Sequence, residues 1–413
     1  MNMKNLVSRP EIYLPAADAD FTKWAVIACD QFTSEPEYWE KLEREIGDAP
    51  SALRLILPEV YLSDHQRLNK ISVRMEAYVK DEILQNRGKG FVLLERTTAY
   101  GRKRLGLVIA VDLEQYSYAV GATCPIRATE KTVVERIPAR VKIRENALLE
   151  LPHVMLLMDD KEERILQKAL EKKDYYEKIY DFDLNGDGGH LKGYFIQDTA
   201  EIESDLDALA NPSVLTKKYG TDKDPVIFVV GDGNHSLAAA KAHWEKVKSG
   251  LTEAEQALHP ARYAMVEVES LYDDGLEFEP IHRLLFHVDV EDFCQEWAKH
   301  VTGNSTVQMM DSTGKKFRMA APEKAFEALE QIQRFLDEYL KEHAGTELDY
   351  VHGTDSLERL VAAEENRLAI FMPRFGKEEL FGFIRSNGSL PRKSFSMGEA
   401  TEKRYYVEAR RIK

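Results

Sequence analysis

Apolar and polar positions alternate between two spacings over the first two thirds of the chain. The stretch 225–250, PVIFVVGDGNHSLAAAKAHWEKVKSG, runs from a continuous apolar segment through two glycines into a pattern in which Leu237, Ala240, Trp244 and Val247 recur at helical spacing, with Gly250 just past the end. This predicts a buried strand, a tight turn and an amphipathic helix. The same reading makes KWAVIACD (23–30) a buried strand. A helix follows, with Ser34 as N-cap, Pro36 in its first turn, Glu37 in capping-box position and Gly47 at its close. GFVLLERTTAYG and KRLGLVIAVDL read as two strands, PHVMLLMDD as a short strand after an ENALLEL helix, and ARYAMVEVES as another strand. KEERILQKALEKKDYYEKIY (161–180) is expected to be one helix with a solvated charged face.

From about residue 285 the texture changes. FHVDVEDFCQEWAKHV, PEKAFEALEQIQRFLDEYLKEH and TDSLERLVAAEENR are helix-like, and RLAIFMP and LFGFIRS are strand-like between them. The expected architecture is therefore a mixed α/β core over residues 1–285 with a smaller α+β domain over 286–413.

Composition narrows the class. With 413 residues, 44% hydrophobic and 31% charged, the chain is long enough for two cores and too apolar for disorder. Its 56 basic and 71 acidic residues give a net charge of −15, which argues against nucleic acid as a partner because such a surface repels phosphate backbones. Cys29, Cys124 and Cys294 are widely spaced and fit a reducing compartment. The opening MNMKNLVSRPEIYLP lacks an apolar signal core, and no run is long enough for a membrane helix, so the expected location is the cytoplasm.

The chemistry concentrates at GDGNHS. Glycines allow a sharp turn, and the first turn of the next helix offers unpaired N–H groups to an anion, so phosphate is the natural guest. A dinucleotide fingerprint is rejected, because Ser236 stands where its third glycine belongs and Asp232 puts a negative charge beside the pyrophosphate. The bland alternative is a turn in which Asp232 or Asn234 caps the helix. A second stretch, IRATEKTVVERIPARVKIRENA, holds Arg127, Thr129, Thr132, Arg136, Arg140 and Arg144; its arginine forks suit phosphate oxygens, and surface ion pairs are the alternative. Asp30 at a strand end and Glu35 in a helix first turn are candidates for a general base or a metal ligand. His282 and Arg283, after Pro280, are expected at an anion or substrate contact or a hinge. LPRKSFSMGEATEKRYY gathers Arg392, Lys393, Ser394 and Ser396, with a solvated tail as the expected reading. DFDLNGDGGH (181–190) imitates a calcium loop but carries Lys192 where the bidentate Glu belongs, so a Gly-rich surface turn is expected.

WAVIACDQFTSEPEYW, GDGNHSLAAAK, DDGLEFEPIHRLL and LPRKSFSMGEA, in this order, resemble the family catalogued as domain of unknown function 1015, over nearly the whole chain. That family's central motif usually reads Asp-Gly-His-His-Arg. Asp232, Gly233 and His235 match it, while Asn234 and Ser236 depart from it. The family is more distantly similar to the ParB and sulfiredoxin-like superfamily, whose members bind nucleotide phosphates at a strand, glycine turn and helix. Its free serine kinases carry a related Asp-Gly-His motif and phosphorylate L-serine, using an acidic residue near the N-terminus as base. The resemblance implies a ParB-like core and a phosphotransferase acting on a small hydroxyl substrate, most simply L-serine. It implies Asp232, His235 and either Asp30 or Glu35 as catalytic groups, and Gly233, Asn234 and Ser236 with the arginines and Thr129 around the phosphates. Mg²⁺ near Asp232 would supply positive charge. No Gly-x-x-x-x-Gly-Lys-Ser/Thr loop occurs, so pyrophosphate is expected to serve at least as well as ATP or ADP. The rival reading is a ParB-like, nucleotide-responsive binding module without turnover.

Overall fold

The computed structural model describes residues 6–33, 35–119 and 121–413; the Ser34 cap lies outside them. The chain divides into two compact units, one comprising the residues up to Leu276 together with Glu399–Lys413, the other Glu277–Gly398. The division expected at 285 therefore falls inside the strand Phe278–Phe286, and the last residues return to the first unit.

Among the described residues of the first unit, ten strands form a mixed sheet. Its order is Glu177–Leu184, Gly189–Ile196, Phe91–Thr97, Lys103–Asp112, Tyr263–Ser270, Met155–Met158, Phe228–Asp232, Ile126–Arg127 and Tyr116–Ser117, with Val7–Ser8 also on Lys103–Asp112. The long apolar runs follow from burial on both faces. Successive side chains take opposite faces: Phe91 and Leu93 join Leu237 and Trp244 in one core, and Val92 and Leu94 join Trp24 and Trp39 in the other. The helices Arg164–Glu171, Ala200–Leu209 and Asn234–Lys248 supply the first core, and Pro36–Ile46 and His65–Lys80 help to fill the second.

The second face is finished by the C-terminal segment. Tyr405–Tyr406 pairs antiparallel with Val26–Ile27, and Arg410–Arg411 with Leu149–Glu150. The stretch expected to be a solvated tail is thus largely buried: Arg392 and Lys393 are exposed, but Ser394, Ser396 and Tyr406 are enclosed, as are Glu408 and Ala409 beyond it. Buried charges accompany it: Arg404 pairs with Glu267 and, at 2.6 Å, with Glu408, while Arg104 lies 2.8 Å from Glu269.

Several local expectations differ from the structure. The 161–180 stretch is a helix only over Arg164–Glu171, and Glu177–Leu184 is a strand. This is an edge strand whose exposed residues, Glu177, Lys178, Asp181 and Asp183, are all charged and imitate a solvated helix face. The helix near ENALLEL is Ile137–Asn146, and Leu149–Glu150 is extended. The expected long strand at 23–30 is a short helix, Phe21–Trp24, followed by Val26–Ile27. LFGFIRS lies in the helix Glu379–Asn387, burying Leu380, Phe381 and Ile384 at helical spacing. The calcium-like stretch is a hairpin turn, where His190 lies 2.7 Å from Asp181 and 2.6 Å from Asp183.

The second unit is a sheet ordered Lys316–Ala321, Ser305–Asp311, Leu368–Phe371, Phe278–Phe286 and Glu347–His352, with Phe395–Met397 on the start of Phe278–Phe286. His282 and Arg283 belong to it. His282 Nδ1 accepts from the Met372 N–H at 3.1 Å, and burial, with Arg283 nearby, pushes its imidazole down to about 4. Arg283 is fully buried, donating to Gln333 Oε1 at 3.0 Å and to the Ile281 carbonyl at 2.6 Å, with Tyr350 beneath its guanidinium. Both side chains are built into this unit's interior.

Candidate active site

The strand Phe228–Asp232 ends at Gly233, whose φ of 82° is left-handed. A Cβ there would approach Val154 Cα to 3.0 Å, so both conformation and space call for glycine. The helix Asn234–Lys248 starts at once, with the Ser236 and Leu237 N–H groups donating to the Gly233 carbonyl at 3.0 Å each. Leu237, Ala240 and Trp244 seat it on the sheet, and Ala238 and Ala239 pack against Ile137, bringing the helix Ile137–Asn146 close.

Around this helix start the structure brings Asp30, His153, Asp232, Ser236, Lys403 and Tyr406 together. The pairing of Tyr405–Tyr406 with Val26–Ile27 sets Lys403 and Tyr406 beside Asp30. Lys403 Nζ, nine-tenths buried, lies 3.3 Å from Asp232 Oδ2, and Asp232 Oδ1 accepts the Gly233 N–H at 2.9 Å. Ser236 Oγ is 2.8 Å from His153 Nε2, and Asp30 Oδ2 is 3.9 Å from the same nitrogen.

Burial, reinforced by Cys29 and Asp30, keeps the Tyr406 phenol protonated well above its ordinary range. Its oxygen accepts the Cys29 N–H at 3.1 Å and lies 2.7 Å from His153 Nδ1, so the hydroxyls of Tyr406 and Ser236 bracket the imidazole, one on each ring nitrogen. Burial alone would raise the Asp30 carboxyl, but His153, the Gln31 amide and Lys403 outweigh it and hold Asp30 below the usual aspartate range. Asp30 is therefore an ionised carboxylate at neutral pH, within reach of a cation and a helix start.

The other candidates fall elsewhere. Glu35 is exposed at the helix entry and caps nothing with its side chain. His235 Nε2 accepts the Val133 N–H at 3.2 Å, tying down the loop before Val134–Arg136. Thr129 donates to the Val230 carbonyl at 2.6 Å and accepts from Asn234 Nδ2 at 3.4 Å, stapling the helix start to the neighbouring strand. Arg127 pairs with Asp224, and Arg136 is exposed. Arg140 pairs with Glu59, and Arg144 with Glu150 at 2.6 Å. Only these last two arginines share a cavity with Ser236.

The donor set does not form a metal cage. Among the described residues no group of three or more His, Cys, Asp or Glu side chains is arranged to hold a metal ion. Asp232, expected to hold Mg²⁺, engages the Gly233 N–H and Lys403 instead.

His153, Lys403 and Tyr406 escape a reading of motifs. His153 sits one residue after a proline that looks like mere strand punctuation. Lys403 and Tyr406 become site residues only through a strand pairing with the N-terminal region.

Fold and site together define a mixed α/β protein in which a strand, glycine turn and helix open on a cluster of two aspartates, one buried lysine and a Tyr–His–Ser chain of hydrogen bonds. The chain belongs to the family described as protein of unknown function, DUF1015, whose profile matches residues 11–342. No protein of curated function matches it. Among solved structures it is similar to a free serine kinase variant in complex with AMP, at 10% identity and a TM-score of 0.41, covering 74% of this chain and 92% of that one. It is also similar to a conserved hypothetical protein from Pyrococcus furiosus, at 11% identity and a TM-score of 0.36, covering 74% and 95%. A third is SbnI with C-terminal truncation from Staphylococcus aureus, at 7% identity and a TM-score of 0.37, covering 70% and 82%. No helix among the described residues is long and apolar enough to cross a membrane.

Proposed function

We propose that this protein transfers a phosphoryl group to the hydroxyl of a small amino acid, L-serine, giving O-phosphoserine. The observation that carries the reading is the meeting of ionised Asp30 with Lys403 at the helix start after Gly233. Asp30 takes the proton of the acceptor hydroxyl as that oxygen attacks the terminal phosphorus of the donor. The bridging P–O bond breaks, and its electron pair leaves with the departing phosphate or nucleotide. Lys403 and the positive end of the helix Asn234–Lys248 face the charge on the phosphoryl oxygens. His153 and Ser236 orient the reacting groups.

Mg²⁺ enters this scheme as a partner of the donor phosphates, as is usual for an ion that keeps several waters and takes only one or two carboxylates. Pyrophosphate is proposed to serve at least as well as ATP or ADP, since the affinity resides in phosphate contacts. The test is phosphorus NMR on the purified protein with Mg²⁺, L-serine and, separately, ATP, ADP and pyrophosphate. A phosphoserine signal with at least one donor is expected. Nucleotide or pyrophosphate binding with no phosphorylated product would overturn transfer and leave a binding module.

A further inference from the structure

A cavity of about 140 Å³ has Ser236, His153 and Tyr406 in its wall and a larger, apolar part that the proposed reaction does not use. Leu57, Met75, Ile143, Leu149, Ala239 and Met265 make most of its lining apolar. It resembles in size an engineered apolar cavity of about 150 Å³ that accepts benzene, so it has room for roughly six to eight heavy atoms and none for a nucleotide.

Its charges are unbalanced. Arg140 and Glu59, both in the wall, neutralise each other. Glu150, however, is shared by two cations, Arg144 at 2.6 Å and Arg410 at 2.7 Å, which leaves one positive charge in excess beside an apolar chamber. Arg144 lines the cavity, and its buried Nε–H has no acceptor among the described residues. A buried donor without an acceptor is costly, and a guanidinium fork is made for a carboxylate.

We propose that this cavity binds a small aliphatic monocarboxylic acid, its carboxylate on Arg144 and its hydrocarbon body among Leu57, Met75 and Ile143. Two features select this class over others. The apolar lining disfavours a polyol or a free phosphate, which would strip water from several polar groups without replacing it. The single excess cation matches one carboxylate and not two. The inference stands whether or not the neighbouring site transfers phosphate.

The probe is isovalerate, titrated into the full-length protein without any phosphoryl donor and followed by calorimetry, with isovaleramide as the neutral isostere and malonamate as the polar one. Isovalerate is expected to bind at least about tenfold more tightly than either. Arg144→Met should weaken it by about tenfold or more, and this variant keeps Arg410 on Glu150, so no buried carboxylate is orphaned. Ala239→Met, which fills the chamber with a flexible side chain on a helix, should abolish isovalerate binding while the melting temperature stays near wild type. Equal binding of acid and amide, no binding of the acid, or an unchanged affinity in both variants would overturn the proposal.

Discussion

The phenol of Tyr406 lies 2.7 Å from Nδ1 of His153, so the strand Tyr405–Tyr406 holds one ring nitrogen of that imidazole while Ser236 holds the other. Tyr406→Phe removes the hydroxyl that joins the Cys29 N–H to His153 Nδ1. The imidazole then loses the partner that fixes its Nδ1. As a positioning change it should lower kcat by about tenfold with little effect on KM, and it should alter the pH profile of kcat, which a purely structural loss would leave unchanged in shape.

Asp30→Asn keeps the size of the side chain and its bond from Gln31 but removes the base. A loss of kcat of about a hundredfold or more is expected, with the unfolding midpoint nearly unchanged. In the wild type the acid limb of activity should lie below the ordinary aspartate range, since His153, the Gln31 amide and Lys403 hold Asp30 down. Phosphoserine production by Asp30→Asn at the wild-type rate would remove Asp30 from the chemistry.

Lys403→Met should act on the donor. With the ammonium gone, KM for the phosphate donor should rise by about tenfold while KM for L-serine hardly moves. Pairing it with Asp232→Asn should be less destabilising than the two changes summed, because the first leaves Asp232 without its cation. Initial rates against donor concentration, and urea unfolding of the double mutant, check both halves.

Gly233→Ala tests the turn itself. The residue adopts φ 82°, and its Cβ would meet Val154 Cα at 3.0 Å, so a destabilisation of about 1–3 kcal/mol is expected. Urea denaturation monitored by tryptophan fluorescence would detect it, since Trp244 lies on the helix that the turn launches. A change below roughly 0.5 kcal/mol would mean that the turn relaxes without cost.

Glu269 carries a pH signature. Burial, aided by Glu267 and Asp273 and opposed by Arg104, pushes its carboxyl up from 4.5 to about 7. The folded state thus holds a proton that the unfolded chain releases. The stability linked to this group is complete below 4.5 and declines as pH rises toward about 7. Urea denaturation between about pH 5 and pH 7 should show that decline, and Glu269→Gln should flatten it. An identical slope in the variant would assign the dependence to another group.

The fold's central strands and the helix after Gly233 were legible because their apolar spacing is set by burial on defined faces. Phe91 to Leu94 and Leu237, Ala240 and Trp244 each read correctly from local pattern alone. Edge elements were not: the exposed residues of Glu177–Leu184 are all charged, and those charges read as helical. The site divided in the same way. Asp30, Asp232 and Ser236 stand beside turns that announce themselves. A sequence lists cations without their partners: the carboxylates opposite Arg127 and Arg140, Asp224 and Glu59, lie far along the chain, and even Glu150, six residues from Arg144, meets it only once the chain folds back. His153, Lys403 and Tyr406 are joined by pairings between distant segments, which no local window contains.

The return of Glu399–Lys413 to the first unit also sets an order on biosynthesis. A nascent chain that has reached Leu276 already contains Asp30, His153, Asp232 and Ser236, yet it lacks the strand that lies against Val26–Ile27 and the lysine that faces Asp232. All of Glu277–Gly398 must be made before either arrives. Folding from the N-terminus as the ribosome proceeds can build the sheet but leaves the cluster incomplete until the final stretch emerges. A ribosome that stalls in the second unit would leave a polypeptide with most of its scaffold but without Lys403 and Tyr406.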